Sequence, residues 1–150
     1  MKWISLFILA AMLSAGGKMK ITSSTSQEWA GGLQQSGYGT DFKLELKVKA
    51  GSDKLVIDEM WVGDIRMPAR AVTDLRNPGS TRFSKGDQVF VRAGITYKPD
   101  EQGGMRMMAG ETKPRPFDYQ GAGLLGYTYK GKRQYLIIPS FKELEKIIYP

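Results

Sequence analysis

Three methionines fall within four residues at Met105, Met107 and Met108. Thioethers select soft ions such as Cu(I), so the cluster raises metal binding first. The chain has no histidine and no cysteine to complete such a site. Methionine also serves as adaptable contact surface, and the metal set is read as none. The same two absences remove the usual general base, the usual zinc ligand and any Ser-His-Asp or Cys-His arrangement.

Adjacent carboxylates stand at Asp58–Glu59. Neighbours on a strand point to opposite faces, so these two cannot form one catalytic pair. Each interrupts an apolar row, which predicts a bulge or bend with one carboxylate paired to Arg66 or Arg70, because buried charges must be paired. "GAGLLG", Gly121 to Gly126, matches the dinucleotide fingerprint letter for letter. That chemistry needs a strand before it and a helix after it, whereas here a loop precedes and a strand follows. It reads as a glycine-rich approach to a strand, where backbones come close. No catalytic residue and no cofactor emerge.

The remaining chemistry is cationic. The chain carries 22 basic and 15 acidic residues, a formal charge of +7. Such a balance favours anionic partners. The basic positions group in three places. Lys43, Lys47 and Lys49 line the wet face of one strand. Lys130, Lys132 and Arg133 crowd a hairpin tip beside Tyr129. Arg106, Lys113 and Arg115 lie in a long connection, residues 98–123. Tip and connection are the expected binding surface, with Arg106, Lys113, Arg115, Tyr129, Lys130, Lys132 and Arg133 as its residues.

The elements that must position these residues are short strands. "TDFKLELKV" alternates Phe42, Leu44, Leu46 and Val48 with charged residues, the pattern of a half-buried strand. "KLVIDEMWVG" is apolar on both faces and predicts a more buried partner in a hairpin through Gly51–Asp53. A weaker strand at "IRMPARAV" is broken by Pro68, which suits an edge. "KGDQVFVRAGITY" is a further strand. "LLGYTYKGKRQYLIIP" folds back at Lys130–Lys132. Residues 98–123, rich in glycine and proline, predict a mobile loop. In "SFKELEKII", Ser140 and Glu143 form a capping box, and Phe141, Leu144, Ile147 and Ile148 share a helical face, predicting a short C-terminal helix.

At the other end, Lys2, an apolar run from Trp3 to Leu13 and small residues at Ser14–Gly17 make up the secretory signal pattern. The run is too short for a span of about 20 apolar residues. The expected organisation is a signal peptide at 1–17, a flexible polar leader at 18–39, and one domain at 40–150. Export would permit disulfides, but no cysteine is present to form one.

Two resemblances accompany these readings. "LSAG", Leu13 to Gly16, resembles the lipobox of bacterial lipoproteins, with Gly16 where the lipidated cysteine would stand. It implies an exported bacterial envelope protein, periplasmic or extracellular, released rather than lipid-anchored. The Lys-Gly-Asp-led strand at 85–97 resembles those of immunoglobulin-like envelope domains. With about seven strands between turns, it implies an all-β, immunoglobulin-like β-sandwich closed by the short helix. The expected function is a non-catalytic binding or accessory module. Its partner would be an envelope glycan, an anionic lipid headgroup or a protein; nucleic acid is not expected. The competing expectations are a subunit bound through a sheet edge and a carboxylate-dependent hydrolase.

Overall fold

The computed structural model describes residues 15–33 and 36–150. The signal peptide expected at 1–17 lies, for its first fourteen residues, outside the described residues. Eleven strands are described: β1 Met19–Gly31, β2 Tyr38–Val48, β3 Leu55–Val62, β4 Ile65–Pro68, β5 Arg70–Val72, β6 Gln88–Pro99, β7 Met105–Ala109, β8 Glu111–Thr112, β9 Gly123–Tyr129, β10 Lys132–Ile138 and β11 Lys142–Tyr149. They form two open sheets. The first runs β11-β1-β2-β6-β5, with β7 also on β6; the second runs β10-β9-β3-β4-β8.

The sheets meet over one apolar cluster. Leu44, Leu46 and Val48 of β2 and Val89 and Val91 of β6 face Leu55, Ile57 and Met60 of β3 and Leu125 and Tyr127 of β9. The alternation in β2 is the cause: its apolar residues are buried while Lys43, Glu45 and Lys47 reach water. Tyr127 takes its hydroxyl into this layer because it can donate a hydrogen bond to Gln134 Oε1 at 3.0 Å.

The all-β, two-sheet expectation holds, and three finer expectations do not. The leader at 18–39 is instead largely β1, paired antiparallel to β2 and parallel to β11. Its serines and Thr25 are half-buried. Backbone bonds on both edges offset the ordering entropy that its composition alone would not. The C-terminal helix is also absent. Residues 142–149 run as a strand along β1, where Ile147, Ile148 and Tyr149 suit a sheet, and this pairing overrides the local capping signal. Third, β2 and β3 are not a hairpin. Both edges of β2 are occupied, by β1 and β6, so the turn after Ala50 carries the chain into the opposite sheet. No α-helix occurs among the described residues, and none there is long and apolar enough to cross a membrane. Immunoglobulin connectivity does not follow from these strand orders.

The 98–123 connection is more built than its composition implies. β6 extends to Pro99, a short turn follows, and β7 returns along it. Alternation turns Met107 towards the core and leaves Met108 57% exposed. The three methionines therefore do not share one face.

Candidate functional site

The carboxylates at 58 and 59 sit at a bulge in β3, where the register against β9 shifts between Ile57 and Glu59. The extra residue turns Glu59 onto the outer face of the second sheet, yet it is only 7% exposed. Arg66 Nε donates to one carboxylate oxygen at 2.5 Å, and Arg133 Nη2 donates to the other. Arg133 also donates to Asp58 Oδ1 at 2.7 Å, and Arg66 lies 3.4 Å from Glu111 Oε1. Burial pushes the Glu59 carboxyl up, but the hydrogen bonds and charge of Arg133 and Arg66 outweigh it and hold the group below the usual range. Burial lowers the Arg133 guanidinium, and its bonds to Asp58, Glu59 and Tyr135 more than reverse this. With both oxygens engaged, Glu59 is a fixed anion that ties β3 to β4 and β10.

Arg133 is thus drawn out of the expected tip surface. Its guanidinium also lies 5.4 Å from the centre of the Tyr135 ring, on which Phe117 packs edge-on. Arg115 is engaged similarly, 3.5 Å from Asp64 and over Tyr119. The Lys113 backbone N–H donates to Asp64 O. Arg106 sits across from Lys98, beside Asp100 and Glu101. These loop residues stand at the end of the sandwich where β3 and β6 finish; Lys130 and Lys132 stand where those strands begin. The structure does not bring the expected loop and tip together.

What gathers at the tip is a set of lysines. Lys130, in a left-handed conformation, and Gly131 make the two-residue turn of the β9–β10 hairpin. Lys18 Nζ lies 4.5 Å from the centre of the Tyr129 ring, and Lys130 Nζ lies 5.4 Å from it. The Lys130 N–H donates to Lys54 O, and the Lys49 N–H donates to Lys18 O. Lys20 faces Lys47 across β1 and β2, and Lys132 faces Tyr129. Among the described residues none of these lysines has a carboxylate within ion-pair distance. Lys18, Lys20 and Lys54 escape a sequence-based reading as site residues. The first two fall in the polar stretch that looks like a leader, and the third falls in a turn.

A second concentration lies on the outer face of the first sheet. Strand register places Lys142, Thr25, Lys43, Arg92 and Arg70 in one row across β11, β1, β2, β6 and β5. The next row holds Leu144, Gln27, Asp41 and Gly94. The second row and Thr25, Lys43 and Arg92 of the first line a concavity of about 610 Å³, with Lys142 and Arg70 outside its lining. Burial raises the Asp41 carboxyl above its ordinary value, and the charge of Arg92 opposes the rise. A period-two reading shows which residues share a face of one strand, but only register could have assembled these rows. No protein-family model matches the chain, and comparison with curated proteins and with solved structures gives no match.

Proposed function

We propose that the protein is an exported, non-catalytic module that docks on an anionic, phosphate-bearing envelope surface by the lysine end of its sandwich. The carrying observation is a set of lysines at one end of the sandwich, none with a carboxylate within ion-pair distance among the described residues. Lys18, Lys130 and Lys132 stand about Tyr129, Lys49 and Lys54 are bonded to the first two through their backbones, and Lys20 lies opposite Lys47 on the first sheet. Tyrosine suits such a boundary, with a ring for the interface and a hydroxyl for water. The single turn at Ala15–Lys18, which leads into β1, also lies at this end. Removal of the signal segment near Gly17 would leave the new amino terminus, a further cation, at the same end. The paired state of Asp58 and Glu59 supports a structural role for them over hydrolysis. A sheet-edge partner is a second reading, favoured by the outer edge of β11 and by exposed Ile148 and Tyr149. Lys142, Glu143, Glu145 and Lys146 on that strand equally protect an edge from pairing.

The test is sedimentation with vesicles of phosphatidylglycerol and of phosphatidylcholine. Binding should require the anionic lipid and fade with salt. A lysine near such a surface is worth about 1 kcal/mol. Changing Lys54, Lys130 and Lys132 together to Gln should therefore weaken partitioning by about a hundredfold. Equal binding to both lipids, or an unaffected triple variant, would refute the reading.

A further inference from the structure

We infer that the concavity on the outer face of the first sheet is a binding site for an acidic oligosaccharide, a sugar chain bearing carboxylates. The site is separate from the lysine end and does not depend on it.

The strand register here is unfavourable to the free protein. Lys43 stands directly opposite Arg92, and Arg92 directly opposite Arg70. Like charges so placed on neighbouring strands destabilise a sheet. The nearest relief for Lys43 is Glu45, at 3.9 Å. With Lys142 on β11, the row of cations crosses four strand spacings, about 19 Å. A row of that length suits a chain carrying several negative charges better than a single phosphate.

The second row explains why the chain should be a sugar. Asp41 and Gln27 face each other across β2 and β1, beside half-buried Thr25. An anionic side chain in this row repels carboxylates and favours a ligand that sets hydrogen-bond donors such as hydroxyls beside its charges. It accepts hydrogen bonds from hydroxyl groups, and so can Gln27 Oε1, while Gln27 Nε2 already donates to Glu145 O. Gly94 keeps the floor open, since a side chain there would begin 3.1 Å from Asp41 Oδ1. Within the lining, Leu144 supplies an apolar surface; outside it, Trp29, the next residue of β1 on the same face, lies over Gly39 with its ring edge-on to Tyr149. Apolar and aromatic surfaces of this kind receive the C–H faces of sugar rings. Carboxylates, hydroxyls and ring faces therefore each have a counterpart on adjoining rows.

The experiment is calorimetric titration of the chain from Lys18 onward with galacturonate oligomers, neutral galactose oligomers and polyglutamate of similar length. Galacturonate should bind about tenfold or more tightly than either control, as expected when charged and neutral hydrogen bonds both contribute. Arg92→Gln with Lys43→Gln should weaken it by at least about tenfold without lowering the melting temperature, because the opposed cations are relieved. Gln27→Ala, which leaves the charges alone but also removes the bond to Glu145 O, should weaken it too, with an unchanged melting temperature marking the loss as one of ligand contact. The Lys54, Lys130 and Lys132 triple variant should bind galacturonate as the parent does, even where it has lost vesicles. Polyglutamate or neutral oligomers binding as tightly as galacturonate would overturn the proposal. So would no binding of galacturonate, or loss of binding only in the lysine-end variant.

Discussion

At Gly126 a methyl group would sit 2.5 Å from both the Arg133 guanidinium and the Glu59 side chain. The last glycine of the sequence "GAGLLG" is therefore a platform on which an ion pair lies flat, and the dinucleotide-like spacing is incidental. Gly126→Ala should cost about 1–3 kcal/mol in denaturant unfolding, the usual range for overfilling a packed site. The partner experiment is Glu59→Gln. It removes the charge shared by two guanidiniums that remain about a third exposed, so the loss should be about 2 kcal/mol, less than for a fully buried pair. The pH dependence has a definite sign. Glu59 is held below its ordinary value of 4.5, so its contribution is complete above that value and disappears as pH falls through the lower, folded one. Unfolding midpoints followed from neutral to acid pH should converge between parent and Glu59→Gln; a constant difference would count against the ion-pair account. Sequence alone predicts a bulge and a pairing with Arg66 or Arg70, because a charge on an apolar row has few escapes. It could not supply Arg133, which is distant in sequence and depends on the β9–β10 register.

At the scale of elements, the legible parts are those whose side chains alternate against a single core. β2, β6 and the β9–β10 hairpin are of this kind. The illegible parts are those stabilised mainly by neighbours. β1 is polar along most of its length, and its order comes from having a strand on each edge. Its side chains add to both pairings: the Thr22 hydroxyl donates to Glu45 O at 3.1 Å, and Gln27 reaches across to donate to Glu145 O. β11 reads as a helix because its spacing fits one, and only the free edge of β1 decides otherwise. Phe141, just ahead of β11, packs on Phe42 with ring centres 5.0 Å apart. Ending the chain at Pro139 should therefore destabilise the domain, by uncovering both the β1 edge and Phe42. Far-ultraviolet circular dichroism of the chain from Lys18 onward should show no helical component; a helical signal lost on that truncation would contradict the strand. Likewise, replacing residues 103–115 with a short Gly/Ser linker should lower the melting temperature, since it removes β7, β8 and the Met107 contact with the core. An unchanged melting temperature would show that these strands contribute little.

For the molecule as a whole, the two proposed surfaces share a physical signature. Each places like charges in register: Lys20 opposite Lys47 at the lysine end, and Arg92 between Lys43 and Arg70 in the groove. The formal charge of +7 adds a general self-repulsion. Glu59, at the centre of the main attractive cluster, is buried, so its pairings are screened less than the exposed repulsions. Salt should therefore weaken the repulsions more than the attractions. Raising sodium chloride from about 0.01 M to about 0.15 M shortens the screening length to about 8 Å and should raise the melting temperature. The Arg92→Gln, Lys43→Gln variant should gain less from the same change, because part of its repulsion is already gone. A melting temperature that falls with salt would mean that ion pairs dominate the surface and that the opposed cations are not a source of strain. Equal gains in parent and variant would place the repulsion elsewhere, at the lysine end, where the Lys54, Lys130 and Lys132 triple variant should then show the smaller response.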